Sequence, residues 1–223
     1  MMIAEFAAVV VIAYLLGSIP FGLILAKLKS GVDIREYGSG KTGATNVMRT
    51  VGTKLGILTL VLDVVKAAGA VMLATVIIDG GSGSFTIGSM SVYWHHVAQV
   101  VAGLAAMLGH NWPIFAKFKG GRGVTAYFGT LFAIFPPAGI FGAEVVAIAA
   151  LRSRQMSRGS ILGALAAWCL MIPLTIAYNF PPIYLAYGLV VIALLVYQHQ
   201  DNIKRLRQGT ERQLWRKGMR DHA

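Results

Sequence analysis

The 223-residue sequence contains one cysteine, Cys169, set inside an apolar run. That excludes a disulfide framework, a cysteine metal site and a redox pair. Charge is also scarce: Asp, Glu, Lys and Arg make up 13% of the chain, whereas 56% is hydrophobic and the mean hydropathy is +0.66. Such proportions exclude a soluble enzyme tethered by a single anchor. A bilayer-spanning helix takes roughly 20 apolar residues, so the chain has room for six or seven of them and for little else. It reads as a single membrane-embedded domain over residues 1–223. Acidic residues are the rarer sign, 9 against 20 Lys and Arg, for a net charge of +11. Read alone, that excess would suggest nucleic acid; its distribution along the chain says otherwise.

Apolar runs cover about 3–26, 54–78, 93–110, 124–135, 138–151, 159–178 and 182–198. Lys and Arg occupy alternate connections: 27–54, 111–123, 152–158 and the tail after 198 hold nineteen of the twenty. The stretches 1–5, 79–92, 136–137 and 179–181 hold none. The positive-inside rule then puts the N-terminus outside and the C-terminus in the cytoplasm, which requires an odd number of spans. The expectation is an all-α integral membrane protein of seven transmembrane helices. Two are short, flanking Pro136-Pro137 as thin tilted helices or a re-entrant hairpin. Glu5 stands where a signal peptide would be basic, so the first span is expected to be retained. Asp79–Ser84 reads as a flexible outer turn.

Lipid-facing surface is apolar, so chemistry belongs to the cytoplasmic loops. The first contains Gly38-Ser39-Gly40-Lys41-Thr42-Gly43-Ala44-Thr45-Asn46, closed by Arg49. Glycines allow backbone N–H groups to form an anion-binding nest, Ser39, Thr45 and Asn46 add donors, and Lys41 or Arg49 adds charge. The second runs from Gly109-His110-Asn111-Trp112-Pro113 to Phe118-Lys119-Gly120-Gly121-Arg122-Gly123, directly ahead of a helix N-terminus. His110 there has the chemistry of a base or of a phosphate donor. Lys and Arg alone would suit anionic lipid headgroups, but that function does not call for the glycines, the His and the Asn. The third, His199 to Glu211, looks by itself like a basic amphipathic tail, and Ser157 lies in the short turn Met156–Ser160.

Asp63 and Lys66 lie mid-span at i and i+3, so they are expected to pair on the interior face of one helix. His95 and His96 beside Trp94 read as interfacial anchors, and Glu144 has no evident partner. A nucleotide P-loop ending in Gly40-Lys41-Thr42 fails, because its first glycine would fall on Arg35. The acyltransferase signature of His followed after four residues by Asp is also absent: Val100, Val101, Phe115 and Lys204 occupy the positions after His95, His96, His110 and His199.

Taken together, Gly38-Ser39 with Gly43–Asn46 and Arg49, Gly109-His110 with Pro113 and Phe118–Gly123, and His199 with Asn202-Ile203 and Gly209–Glu211 resemble the three motifs of the PlsY family. These are bacterial membrane-embedded glycerol-3-phosphate acyltransferases that use acyl phosphate. The resemblance extends to Gly17–Pro20, Asp63, Lys66 and Ser157–Ile161, nearly the whole chain in order. It implies seven spans with the N-terminus outside, in the bacterial cytoplasmic (inner) membrane with the site on the cytoplasmic side. It also implies transfer of a fatty acyl group from acyl phosphate to the 1-hydroxyl of glycerol 3-phosphate, with no metal or cofactor. Catalytic roles would fall to Ser39, His110, His199 and Asn202, and substrate binding to Thr45, Asn46, Arg49, Lys119, Gly120, Gly121, Arg122, Gly123 and Ser157. The base would be His110, His199 or a substrate phosphate oxygen. Glu211 is expected to hold the tail.

Two positions depart from the family pattern, Lys41 for its usual Asn and Arg122 for its usual Lys; both keep or add positive charge. Expected partners are acyl phosphate, glycerol 3-phosphate and membrane lipids, without nucleic acid, and a monomer is expected. The competing class is a carrier of phosphorylated solutes, disfavoured because the polar residues cluster on one side and no half is repeated. A non-catalytic anchor with a basic tail is a third.

Overall fold

A computed structural model describes residues 2–78, 83–88 and 90–214. Most of the predicted turn at Asp79–Ser84 and the tail cations Arg216, Lys217 and Arg220 lie outside the described residues. The first apolar run is two helices, α1 (Met2–Gly17) and α2 (Phe21–Ser30), broken at Ser18-Ile19-Pro20. Pro20 has no N–H to continue the ladder, and the Ile19 carbonyl freed by the break accepts from Lys66 Nζ at 2.7 Å. α2 stops at Gly31, whose left-handed φ of 67° lets its N–H close back on the Lys27 carbonyl.

A loop with a short 3₁₀ turn at Ile34–Glu36 leads to α3 (Ala44–Thr50) and the long α4 (Thr53–Ile77). Two strands, β1 (Ser84–Ile87) and β2 (Met90–Tyr93), pair antiparallel where the sequence suggested only loop. α5 (Trp94–Asn111) is followed by α6 (Val124–Ile134), α7 (Pro136–Ser153), α8 (Met156–Tyr178), α9 (Ile183–Gln198) and α10 (Gln200–Arg207). Pro136-Pro137 do not form the turn between two short runs. They open α7, where missing N–H groups cost nothing, so α7 has 18 residues and α6 alone is short at 11.

Three stretches, Met2–Ser30 across its break, Thr53–Ile77 and Met156–Tyr178, are long and apolar enough to cross a membrane. The α9–α10 pair, bent by 62°, makes a fourth when taken as one. The main core gathers Met107, Tyr127, Leu131, Met171 and Tyr187 from α5, α6, α8 and α9. A second, of Val9, Ala13, Ala70, Ala74, Ala102 and Ala106, is built from small residues that let α1, α4 and α5 approach closely. The opposite helix faces stay apolar and uncovered: Leu58, Val61, Val65 and Met72 on α4 are all exposed, as a lipid-facing stripe requires. A third cluster, Leu23, Ala26, Ile34, Val47 and Ala116, lies beneath the loops and fastens them to α2.

Candidate active site

The 34–46 loop is organised by one side chain. Asn46, buried on α3, donates through Nδ2 to the carbonyls of Ile34, Tyr37 and Lys41 at 2.9–3.0 Å and accepts the Ser39 N–H through Oδ1 at 3.0 Å. Its amide is saturated by the loop itself, which gives Asn46 a positioning role: it fixes where Ser39 sits. Arg35 ties this loop to the next through a bond from Nη1 to the Ala116 carbonyl at 2.9 Å, and the Thr42 N–H reaches Gly120 O at 3.4 Å. Asp33 holds the other face of that guanidinium, which keeps its carboxyl down at about 2.

In the second loop the glycines pack against backbone and imidazole. The Gly121 N–H donates to the His110 carbonyl at 2.9 Å, and a Cβ on Gly121 would overlap His110 Nε2. Gly123 takes φ 84° just before α6, with Met107 and Asn111 against it. This loop therefore wraps the inner end of α5. On the far side of His110, Nδ1 lies 3.6 Å from Asp63 Oδ1, and the same oxygen pairs with Lys66 Nζ at 2.7 Å. The expected i, i+3 ion pair is present and buried, and it also meets His110 and the break between α1 and α2.

The third element is the bend between α9 and α10. His199 sits at the bend, where its Nδ1 contacts the Leu195 carbonyl at 2.8 Å. That contact is a donated bond when the ring is neutral with its proton on Nδ1, which leaves Nε2 as an acceptor. Burial pushes the ring down to about 4 from 6.5, with the Arg122 charge adding to it, so His199 is neutral near pH 7. One turn on, Asn202 Nδ2 donates to Glu211 Oε1 at 2.7 Å; Ser157 donates to the same oxygen at 2.9 Å, and Arg205 Nε to Oε2 at 2.9 Å. Burial alone would raise the Glu211 pKa, but those three donors outweigh it and hold the carboxylate below its usual range. Glu211 does more than hold the tail: it joins α8 to α10.

These elements enclose one cavity of about 380 Å³. Of the residues nominated by sequence, Ser39, Thr45, Asn46, Arg49, His110, Arg122, Ser157, His199 and Asn202 line it. Gly120, Gly121 and Gly123 lie behind its wall, and Lys119 is exposed on the loop outside it. Lys41, Arg49 and Arg122 face the cavity against the single carboxylate of Glu211. Burial lowers the pKa of all three cations, and the Nε atoms of Arg49 and Arg122 are buried without a partner among the described residues. Desolvated cations lacking counter-charge make a site for an anion.

Sequence reasoning left out the other half of the lining. Thr125, Phe128 and Phe132 follow Arg122 along one face of α6, opposite Leu60 and Val64 of α4 and Ala143 and Val146 of α7. The only sequence signal for them is the helical spacing 125, 128, 132, which any core face would share. The cavity thus has a cationic end under the loops and an apolar end between three helices, dimensions and polarity that suit a phosphate joined to a hydrocarbon chain.

A family model described as glycerol-3-phosphate acyltransferase matches residues 7–209. A Dehalococcoides mccartyi protein named glycerol-3-phosphate acyltransferase 3 is 49% identical over 214 residues, covering 96% of this chain and 98% of that one. A Halalkalibacterium halodurans glycerol-3-phosphate acyltransferase is 35% identical over 92% of this chain and 93% of its own. Among solved structures, the glycerol 3-phosphate form of PlsY, an integral membrane glycerol 3-phosphate acyltransferase, superposes with a TM-score of 0.78 at 37% identity, covering 93% and 94% of the two chains. Its lysophosphatidic acid form gives 0.77 at 36% identity. With the match spanning nearly all of its length, the chain belongs to the glycerol-3-phosphate acyltransferase family and is a multi-pass membrane protein.

Proposed function

We propose that the protein transfers a fatty acyl group from acyl phosphate to the 1-hydroxyl of glycerol 3-phosphate, releasing lysophosphatidic acid and inorganic phosphate. The observation that carries this reading is the continuity of the cavity. Its cations Arg49 and Arg122 and its apolar walls Phe128 and Phe132 belong to one continuous, partly open space. Both substrates present phosphate, and only the donor and the product add a long hydrocarbon chain.

Lys41, Arg49 and Arg122 would hold the two phosphates and stabilise charge that develops on the acyl oxygen and the leaving phosphate. Ser39, fixed by Asn46, would orient an anionic oxygen, and Asn202, whose Oδ1 finds no partner among the described residues, would accept from a glycerol hydroxyl. The new ester bond forms as the hydroxyl oxygen attacks the acyl carbon and the C–O bond to phosphate breaks. The hydroxyl proton is best received by a phosphate oxygen, whose pKa near 6 suits transfer at neutral pH. His199, held to about 4, is a poor store for that proton; its Nε2 can instead accept from the neighbouring 2-hydroxyl of glycerol 3-phosphate and so aim the 1-hydroxyl at the acyl carbon. His110 is engaged by Asp63 and Gly121, which favours a part in shaping the pocket.

In the membrane we assign seven helices, counting α1–α2 as one and then α4 to α9, with the N-terminus outside and the site on the cytoplasmic face of the bacterial inner membrane. The segregation of Lys and Arg supports this. α6 rises only about 16 Å, roughly half the hydrocarbon depth.

Purified protein given acyl phosphate and glycerol 3-phosphate should release phosphate and form lysophosphatidic acid, and Ser39→Ala should suppress both. Movement of labelled glycerol 3-phosphate into sealed vesicles without acylation would replace this reading by that of a carrier.

A further inference from the structure

The apolar half of the cavity has a measurable depth, and the packing of α6 on α7 defines where it ends. A Cβ built on Gly142 would lie 2.8 Å from Phe128 Cε1, and one on Gly139 would lie 2.9 Å from Phe132 Cδ1. Levels 128 and 142, then 132 and 139, are therefore side by side, as two antiparallel helices joined at Phe135 require. Val124 marks the cationic end next to Arg122, Phe128 and Ala143 share the next level, and Phe132 stands one turn deeper. From Val124 to Phe132 is eight residues of helix, about 12 Å.

At that depth the Phe132 ring lies over Gly139, and immediately past it Phe135, fully buried, closes the corner between the two helices. The lining of the cavity ends close by: on α6 no lining residue comes after Phe132, and on α7 the lining ends one turn above it, at Ala143.

We propose that Phe132 and Ala143 set the acyl-chain length the enzyme uses: Phe132 forms the floor of the groove, and the small side chain at Ala143 keeps the passage above it open. This rests on the reading that acyl phosphate is the donor. A chain that stops short of Phe132 leaves apolar wall unfilled, and a chain that is too long must fold back or displace the ring. Each methylene denied burial costs about fourfold in kcat/KM. Phenylalanine at position 143 would occupy the level of Phe128, shortening the groove by about half, roughly 6 Å.

The test uses the purified enzyme in detergent with glycerol 3-phosphate and a series of acyl phosphates from hexanoyl to octadecanoyl, comparing kcat/KM ratios within each variant. The wild-type groove, about 12 Å deep, holds roughly ten extended carbons, so Ala143→Phe, which leaves room for about half of them, should lower the ratio of decanoyl to hexanoyl phosphate by at least about tenfold. Phe132→Ala should shift preference the other way, raising the ratio of dodecanoyl to decanoyl phosphate by about fourfold or more. Ratios cancel differences in the amount of folded enzyme, and Phe132→Ala, which adds no bulk, carries the test alone should Ala143→Phe not fold. Length profiles that coincide with wild type in the folded variants would overturn the proposal and send the chain sideways into lipid. Wild-type enzyme that turns over no acyl phosphate of any length would instead overturn the reading of the donor, and the length gauge with it.

Discussion

Asp63 and Lys66, whose side chains are 2% and 4% exposed, cancel one another at 2.7 Å in the middle of α4, and each has a further neighbour in His110 or the Ile19 carbonyl. Arg49 and Arg122, at the loop end of the same interior, are less well matched: they share the one carboxylate of Glu211, Arg49 adds only a 3.4 Å bond from Nη2 to the Arg212 carbonyl, and each buries an Nε without a partner among the described residues. Both clusters take charge out of water, which costs several kcal/mol per ion unless it is compensated. The first is compensated by the protein itself and so is complete without a ligand. The second is left short of negative charge, which substrate phosphate would supply under the proposed function. A buried ion in this fold is therefore not by itself a sign of function; its unmet valence is.

The sharpest way to break that contrast is to unbalance the complete cluster. Asp63→Asn strands the Lys66 ammonium, and the expected loss is about 3–5 kcal/mol of stability, read as a lowered Tm in detergent. The double variant Asp63→Asn with Lys66→Met removes both charges and should recover most of that loss. If the double variant melts as low as the single one, the cluster is more than a neutralised pair.

If the counter-charge of Arg122 comes from substrate, as proposed, Arg122→Ala should keep its Tm while kcat/KM for glycerol 3-phosphate falls by about 10²–10³. Arg122→Lys keeps the charge and loses the fork, and it should retain activity within about tenfold of wild type. A fall in Tm for Arg122→Ala as deep as that for Asp63→Asn would erase the distinction between the two clusters.

This distinction was only partly visible in the sequence. The alternation of basic and neutral connections is the basis of the proposed orientation, and the i, i+3 spacing of Asp63 and Lys66 puts them on one face, where the buried pair is found. Hydroxyl, amide and guanidinium residues in the loops announce a phosphate site because few other functions use them in that combination. What spacing cannot convey is how far each donor is already spent. Asn46 reads as a free donor and is consumed by three carbonyls of its own loop, while Glu211 reads as a tail fastener and is the acceptor for Ser157, Asn202 and Arg205. The apolar wall was hidden for another reason: Leu60, Phe128 and Ala143 come from three helices, and each has the composition of any core or lipid face. The β1–β2 hairpin was missed because its two strands are four residues each, with no periodicity long enough to register.

A smaller effect separates the groups within the site itself. His199 is held to about 4 when folded and returns to 6.5 when unfolded. Between those values the unfolded chain binds a proton that the folded chain refuses. Stability is therefore complete above pH 6.5 and falls as the pH drops toward 4, by up to about 1.4 kcal/mol per pH unit. Melting curves from pH 7.5 to 5 should show that slope in wild type and a shallower one in His199→Gln. Equal slopes would mean that the ring is solvated in the folded enzyme.

The smallest expected effect belongs to Lys119, three residues from Arg122 and of the same charge. It is exposed on the outer side of the loop and lines no part of the cavity. Its ammonium can act on substrate only through solvent, where at physiological salt a charge is screened within about 8 Å. Lys119→Ala should lower kcat/KM by less than about threefold at low ionic strength, with the difference fading as salt is added. Arg122→Ala should keep its full deficit in the same titration, because its charge meets the phosphate inside the cavity rather than across water. A Lys119→Ala deficit as large and as salt-resistant as that of Arg122→Ala would require the loop to turn inward when substrate binds, bringing both cations of the Lys119–Arg122 segment onto one anion.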